Sequence, residues 1–516
     1  MLFFRRDGAL RTSRLPVVAL ILRLLHDRRG VSVVLLAIAF PVVIGFTALG
    51  VEAGLWYALQ RQDQTAADAA ALSGAYERAA GQAYSDICAL VERDAASNGF
   101  PFQSYTCPNS SPGCTSPSSG QMCANNPPVS GASAGDDKAV EVYLSRQQNT
   151  FFANLFTSSV TISTRAVAKV NLAGLTCDLA LGTSGTDISV QGSASINLTG
   201  CGMAANSSDA ASISFGGGSN DTLNASWFQT VGDFSSNGSP VINVPTKLTY
   251  TTPVTDPYSC NPPQIGCAGK VTYSWPATSV NPTNPCFSVT TNTTLLPGLY
   301  GNSGNGSNGC SNGKGSSSPP MSFTGGTATL CPGVYYLDGE DNHGYAFLVQ
   351  GGTVQIGTAA ATTNGVTCPA NGRNGVIIIA SSQNGTKGGG IQIKTGTVTL
   401  SAPTTQYPSG CTLGSTPCMP SGLLFYQDPS TADTSKAGSG LTGDSTLTAN
   451  AGTSLVGSMY TPDTNVTFTG NAGSTCFLVI ALTITFTGNS TMAGNQTSCQ
   501  AVGATGPAVT NIALTE

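Results

Sequence analysis

The sequence is poor in charged side chains, because Asp, Glu, Lys and Arg make up only 9% of its 516 residues. Chains that stay disordered through high net charge carry many more, so that class is excluded. With 62 Gly and 29 Pro, the chain also falls short of the roughly 25–30% that low-complexity disordered chains reach. Basic residues concentrate in positions 1–29, and the remainder is acidic on balance. No basic surface for nucleic acid is therefore expected.

Histidine is scarcer still, and two short motifs of common enzyme families are missing. Only His26 and His343 occur, and the chain has no C-x-x-C pair, so a zinc site is not expected. The sequence contains no P-loop and no H-E-x-x-H. We therefore expect no cofactor and no catalytic residues, and we expect that the protein is not an enzyme.

One long apolar run lies near the N-terminus. Residues 31–51 carry no charge, and Glu52 follows them. At 1.5 Å per residue, a helix of this length crosses the ~30 Å hydrocarbon core of a bilayer. The run therefore predicts a membrane anchor. A cleaved signal peptide and a helix buried in a soluble core are the alternatives.

The residues before the apolar run predict its orientation. Arg28, Arg29 and Gly30 precede it directly, and arginines flanking a membrane helix favour the cytoplasmic side. Residues 1–29 are therefore a basic cytoplasmic segment in this interpretation, and residues 30–52 form a single transmembrane helix. Everything beyond Glu52 would lie outside the cytoplasm.

Residues 53–86 are rich in Ala, Gln and Leu and predict an extracytoplasmic helix. Within them, positions 64–75 read QTAADAAALSGA. Together with Arg-Arg-Gly at 28–30, this segment resembles the N-terminal module of TadG-like Flp (Tad) pilus-assembly proteins over about residues 28–80. The matching motif positions are Gln64, Ala67, Asp68, Ala70 and Leu72.

The resemblance implies a function and a location. It implies a protein of the bacterial inner membrane, with other pilus-assembly proteins or pilin-like subunits as its partners. A pilin-type processing site would have Glu at the fifth position after the glycine, where this chain has Leu35. We therefore predict that the anchor remains uncleaved.

After the predicted helix, the exported part has two short regions that differ in amino-acid composition. Residues 87–136 form a Cys/Pro-rich loop region by composition. Residues 137–173 predict a small strand-helix-strand head, with strands at 139–146 and 159–172 and a short helix at 150–156.

Residues 174–516 change to short β-branched runs separated by Gly, Asn and Ser. The string TFTGN occurs at 467 and again at 485, a spacing close to one coil of a β-solenoid. The pattern predicts a mainly β fold, a right-handed parallel β-helix, in which each coil buries apolar side chains against the next. Tandem β-sandwiches are the alternative, because short, evenly spaced strands occur in both.

All sixteen cysteines lie beyond the apolar run, between positions 88 and 499. An even number of cysteines on the exported side predicts disulfides. Three candidate pairs are seven residues apart and two are 24 and 23 apart, about one coil: Cys107/Cys114, Cys260/Cys267, Cys411/Cys418, Cys177/Cys201 and Cys476/Cys499.

One dense acidic cluster stands out, formed by Asp338, Glu340 and Asp341. Its glycine neighbours indicate a turn, where acidic residues collect for backbone reasons. A calcium site and a catalytic site are the alternatives, because paired carboxylates serve both.

These features together predict a membrane-anchored structural or assembly component of a Tad/Flp-type pilus or surface-attachment system. Its disulfide-bonded β-helix would lie in the periplasm or at the cell surface. Two other functions stay open, namely a β-helix polysaccharide lyase or hydrolase and an adhesin that binds a glycan or another surface ligand.

Overall fold

The computed structural model describes residues 28–102, 113–115, 117–216, 221–259, 269–281, 285–301, 310–311, 317–383, 385, 387–412, 415–434, 443–448, 453–470, 476–504, 506 and 508–516. The chain divides into two compact units. The first contains residues up to 78, residues 82–169 and residues 512–516, and the second contains residues 79–81 and 170–511.

The first unit combines a long helix with an antiparallel sheet. Its elements are α1 (Arg28–Ala79), α2 (Tyr84–Ser97), β1 (Gln121–Asn125), β2 (Ala139–Asn149), a 3₁₀ turn (Ala153–Leu155) and β3 (Ser159–Ala180), which continues into the second unit. Strand β2 pairs with β1 and β3, and the chain's last residues pair with β3 at Val167. The predicted strands at 139–146 and 159–172 are present. The predicted helix at 150–156 is only a 3₁₀ turn, and β1 is a strand within the predicted loop region.

Small side chains let α1 approach its neighbours closely. Alanines 66, 67, 70, 71 and 75 are fully buried on one side of the helix. At Gly74, a Cβ atom would come within 2.8 Å of Val91 and 2.9 Å of Val140. The helix therefore contacts both α2 and β2 at a point where any larger residue would force them apart.

The second unit is built almost entirely of short strands. After β3 these are β4 (Ile188–Val190), β5 (Ser195–Thr199), β6 (Cys201–Ala205), β7 (Ile213–Gly216), β8 (Thr222–Ala225), β9 (Trp227–Thr230), β10 (Phe234–Asn237), β11 (Val241–Asn243), β12 (Thr246–Leu248), β13 (Phe287–Val289), β14 (Thr293–Leu295), β15 (Gly298–Gly301), β16 (Cys310–Ser311), β17 (Ser317–Ser318), β18 (Met321–Phe323), β19 (Thr327–Leu330), β20 (Gly333–Asp338), β21 (Tyr345–Ile356), β22 (Thr362–Thr363), β23 (Val366–Thr367), β24 (Val376–Ser381), β25 (Gly390–Ser401), β26 (Leu423–Gln427), β27 (Ser445–Leu447), β28 (Ser454–Phe468), β29 (Cys476–Phe486) and β30 (Thr491–Asn495). Helix α3 (Gln496–Ala501) and strand β31 (Ala508–Leu514) follow.

Most of these strands form three columns of parallel strands. The first column runs β15, β20, β24, β26, β28, β29, β3, β6, β9, β12. The second runs β13, β18, β21, β25, β27, β28, β29, β4, β7, β10. The third contains β14, β19, β21, β25 and β28 and, as a separate sheet, β30, β5, β8 and β11. Each pass of the chain thus adds a strand to each column.

The order of the strands in space differs from their order in sequence. Strands β3–β12 extend the columns in one direction, but β13 begins at the opposite end and the later strands return toward β3. The two halves meet where β29 pairs with β3 and β4. At this seam, the Leu181 N–H donates to the Ala481 carbonyl oxygen at 2.8 Å, and the Gln191 N–H donates to the Phe486 carbonyl oxygen at 2.8 Å.

The described chain between the two halves, residues 249–259 and 269–281, covers the outer side of the first column. Beginning after β12, it contacts β6 where the Val254 N–H donates to Asn206 Oδ1 at 2.7 Å. It then contacts β28, where the Tyr258 and Ser458 hydroxyls lie 2.7 Å apart, and it ends against β15. Its apolar side chains form a second core cluster with those of the column, which is why both sides of this column are buried.

The mainly β prediction is confirmed, and the strands of the three columns are parallel, as a stacked solenoid requires. The main core lies between the columns and contains inward-facing Val, Ile, Leu, Met and Phe side chains from nearly every strand. The right-handed β-helix itself stays a prediction at this point.

Candidate anchoring and assembly module

Helix α1 presents an apolar surface that none of the described residues of the first unit covers. Within the described residues it is the one helix long and apolar enough to cross a membrane, from Val33 onward. Its most apolar 18 residues have a mean hydropathy of 2.5, and none of them is buried. Arg28, Arg29 and Gly30 are its first three residues. The anchor predicted for 30–52 and the helix predicted for 53–86 are therefore one continuous helix as far as Ala79.

Glu52 is the first charged residue after the apolar run, and it is buried. Only 3% of its surface is exposed. Its carboxylate accepts three backbone hydrogen bonds, from the N–H groups of Phe151 at 2.6 Å, Phe152 at 2.9 Å and Ala153 at 2.6 Å. Glu52 thus fixes the β2–β3 loop against the helix. In the sequence, Glu52 only marks the end of the apolar run, and its partners about 100 positions away give no local signal.

The family-motif residues lie where α1 packs on the sheet. The side-chain amide of Gln64 donates to Asp68 Oδ1 at 2.8 Å and to the Arg165 carbonyl oxygen at 3.0 Å. Ala67 and Ala70 are fully buried, and Leu72 is half-buried. The motif therefore combines a polar link from α1 to β3 with the small residues that allow close packing.

A buried ion network holds β2, β3 and the chain's C-terminus together. The Glu141 side chain is fully buried and accepts hydrogen bonds from Asn125, Ser130, the Val129 N–H and Arg165. Arg165 also pairs with Glu516. Burial alone would raise the pKa of Glu141, but these donors together hold it below its usual value. A second buried pair links Asp63 of α1 to Arg146 of β2.

Disulfides lie within both units, and three of the predicted pairs are present. These are Cys177–Cys201, Cys411–Cys418 and Cys476–Cys499. The pairing of Cys107 with Cys114 is wrong, because the β1 strand brings Cys123 next to Cys114 and these two are bonded. Sequence reasoning also missed Cys331–Cys368, and Cys88 and Cys286 are bonded as well. Cys107, Cys260 and Cys267 lie outside the described residues.

We expect the disulfide between neighbouring strands of the first column to stabilise the second unit more than a disulfide that closes a short loop does. Replacing Cys177 and Cys201 by alanine should lower the free energy of unfolding by about 2–4 kcal/mol. The matched variant without Cys411–Cys418 opens a loop of 7 rather than 24 residues, so it should lose about 1 kcal/mol less. Urea unfolding under non-reducing conditions measures both. Equal losses would show that loop length does not set the effect.

Among the described residues, the acidic cluster at 338–341 has no geometry suited to a metal ion. Within the described part of the chain, no group of three or more His, Cys, Asp or Glu side chains could hold a metal ion. The side chains turn to separate partners. Asp338 Oδ1 accepts from the Gln383 N–H at 2.8 Å, whereas Asp341 Oδ1 accepts from backbone N–H groups of its own turn. Burial, followed by the nearby Asp433, raises the pKa of Glu340 to about 8.

A different acid occupies the seam of the second unit. Asp178 of β3 lies beside Val479 of β29 and Met203 of β6, and it is fully buried. Among the residues that the structure describes, neither of its carboxyl oxygens has a hydrogen-bond partner. Burial raises the pKa of Asp178 to about 8, and burial likewise raises the pKa of nearby Asp187 to about 7. The folded protein therefore keeps Asp178 largely protonated at neutral pH.

Comparison with known families gives one match, and it falls on α1. Residues 30–80 match the family model Tad, described as "Putative Flp pilus-assembly TadE/G-like". This confirms the resemblance found in the sequence. No curated protein and no solved structure matches the chain. The match covers the exposed apolar part of α1, Glu52 and the family-motif residues.

Proposed function

We propose that this protein is a membrane-anchored structural component of a Tad/Flp-type pilus-assembly system. One observation carries the proposal: the Tad match coincides with a continuous helix whose N-terminal half is apolar and uncovered and whose C-terminal half packs on a sheet. A helix with an uncovered apolar half needs a non-aqueous environment, and a bilayer provides one. Its partners are then other pilus-assembly proteins or pilin-like subunits.

Two features support an orientation with the N-terminus in the cytoplasm. Arg28 and Arg29 stand at the N-terminal end of the apolar run, and arginines concentrate on the cytoplasmic side of membrane helices. The disulfides all lie beyond this run, and such bonds persist in oxidising compartments such as the periplasm. The protein would therefore be a single-pass inner-membrane protein, with residues 1–29 in the cytoplasm and residues 53–516 in the periplasm or at the cell surface.

We propose that the second unit is a right-handed parallel β-helix with about one coil per pass through the three columns. The continuous parallel pairing and the core between the columns support this architecture. Crossover connections between parallel strands are right-handed in nearly all proteins, which supports the handedness. The second unit would then be a structural scaffold outside the cytoplasm. The low charge of its sequence suits this role, because like charges on stacked coils would repel each other.

Saccharide binding is a second candidate function, favoured by one groove on the second unit. The groove has a volume of about 630 Å³, and Trp275, Pro276, Asp338 and Gln383 are among its lining residues. An aromatic ring beside carboxylate and amide groups suits a sugar, which offers an apolar face and many hydroxyls. An adhesive role would be compatible with membrane anchoring.

We expect the anchor to remain uncleaved and the second unit to be outside the cytoplasm. In spheroplasts of the native bacterium, added protease should digest residues 174–516 while an N-terminal epitope tag remains protected. N-terminal sequencing of the purified protein should find no start near Val31 or Ala53. Either start, or protection of the second unit in intact spheroplasts, would contradict the proposed topology.

A further inference from the structure

The loop between β2 and β3 exposes four large apolar side chains. The exposed fractions are 74% for Phe151, 58% for Phe152, 86% for Leu155 and 79% for Phe156. Single apolar residues are common on protein surfaces, but such a cluster marks a surface that is covered in the functional state. The surrounding sequence, residues 147–164, has no charged residue.

The position of this loop indicates what covers it. Its backbone at Phe151, Phe152 and Ala153 is bonded to Glu52, the residue that follows the apolar run of α1. Val51, directly before Glu52, is 68% exposed. The apolar surface of the loop therefore begins at the level where that of the helix ends.

Several backbone groups of the loop are hydrogen-bonded. Glu52 accepts from three of its N–H groups, and the Ala153 carbonyl oxygen accepts from the N–H groups of Phe156 at 2.8 Å and Thr157 at 2.9 Å. The Thr150 N–H donates to the Ser158 carbonyl oxygen at 3.1 Å. Irregular backbone is costly in a lipid environment because unpaired N–H groups find no water there. With these groups paired, moving the loop from water into lipid costs less free energy.

We propose that the β2–β3 loop inserts Phe151, Phe152, Leu155 and Phe156 into the outer leaflet of the bilayer beside α1. This inference rests on the proposed function, because it requires that α1 spans the membrane. Phe and Leu side chains enter the boundary between headgroups and acyl chains, and a second contact beside the helix fixes the depth and tilt of the first unit. Glu52 is the positioning residue, since it joins the loop to the helix at the membrane boundary.

Photolabelling of the full-length protein in vesicles of phosphatidylethanolamine and phosphatidylglycerol tests this insertion. The vesicles contain a phospholipid with a diazirine in its acyl chain, and trypsin then separates the two regions. Cleavage gives peptide 30–61 for the anchor and peptide 147–165 for the loop. We expect acyl-chain label on both. Peptide 62–78 of the same helix serves as the control and should remain unlabelled, because Tyr76 lies ~36 Å along the helix from Glu52.

The outcomes separate this inference from the proposed function. Label on peptide 30–61 but not on peptide 147–165 would overturn the insertion and leave the anchor intact. Absence of label from both would overturn the proposed function as well. Crosslinking of the loop to a second copy or to another protein, instead of lipid, would also overturn the insertion.

A variant provides a second measurement. Replacing the four apolar side chains by serine should lower labelling of peptide 147–165 at least tenfold, while labelling of peptide 30–61 stays unchanged. The variant keeps the backbone bonds to Glu52 and alters only exposed side chains, so it should fold. Tyr76→Ser is the matched control, because Tyr76 is also an exposed aromatic residue but lies on α1. It should leave the labelling of peptides 30–61 and 147–165 unchanged. Unchanged loop labelling in the serine variant would contradict insertion by these side chains.

Discussion

Asp178→Asn is expected to stabilise the second unit by on the order of 4 kcal/mol at pH 7. The wild-type carboxyl group is fully buried without a hydrogen-bond partner among the described residues, and its pKa is raised from 3.8 to about 8. At pH 7 it is therefore protonated in the folded protein but ionised after unfolding. The ionisation favours the unfolded chain, and asparagine, which has nearly the same shape and no charge, removes that advantage.

The raised pKa of Asp178 determines how the free energy of unfolding changes with pH. A raised pKa destabilises the folded protein above the unfolded value near 4, and the loss grows until the pH reaches the folded value near 8. Wild-type stability from this group should therefore rise as the pH falls from 8 to 4, whereas the advantage of Asp178→Asn should shrink to nearly zero.

Urea unfolding at pH 5 and pH 8 measures this difference. Tryptophan fluorescence follows it in a Trp56→Phe background, so that the signal comes from Trp227 and Trp275 of the second unit. Asp209→Asn is the matched control, because Asp209 lies exposed in the same unit and should change stability by less than about 0.5 kcal/mol. A gain for Asp178→Asn that is the same at both pH values would contradict the protonation argument.

Glu141→Ala should destabilise the first unit by about 3–5 kcal/mol, because it leaves the Arg165 guanidinium without its buried partner. Glu516 also pairs with Arg165 but is more exposed, so Glu516→Gln should have a much smaller effect. Hydrogen exchange of β1, β2 and β3 measures this unit separately from the other. If both variants lose equal protection, the buried carboxylate has no special role.

The pH response of this network has the opposite sign to that of Asp178. The pKa of Glu141 is lowered in the folded protein, and the pKa of Glu516 is lowered by its bond to Arg165. Their contribution is present above the unfolded pKa, near 4.5, and is lost as the pH falls below it. Acid should therefore loosen the antiparallel sheet, while mild acidification from pH 8 strengthens the parallel one.

The sequence predicted those features that depend on local pattern. An uncharged run of anchor length is visible without a fold, and so are the alternating strands at 139–146 and 159–172. Cys411 and Cys418 are close in sequence, and a loop brings them together. Spacing alone gave the wrong partner for Cys114. The cysteine nearest to it in sequence is Cys107, but Cys114 is bonded to Cys123, which strand β1 places beside it.

What the sequence could not predict depends on distant partners. Glu52 and its loop lie about 100 positions apart, and so do Gln64 and Arg165. The burial of Asp178 depends on the strands on both sides of it. One of these strands, β29, begins at Cys476, about 300 positions later, so the local sequence cannot predict this burial. The pairing of β29 with β3 cannot be predicted from the repeat spacing of the sequence. That spacing indicates the length of one coil, but not which coils are neighbours in space.

The split order of the columns has a consequence for the time course of export. If the N-terminus enters the membrane first, β3 can pair with β6 soon after it emerges. Its other edge stays unpaired until roughly 300 further residues have followed and β29 emerges. During that interval an open parallel edge faces the exported compartment, where such edges recruit foreign strands. Contacts this distant also make folding slow. If the second unit folds outside the cytoplasm as proposed, we expect its yield to fall the longer this edge stays unpaired.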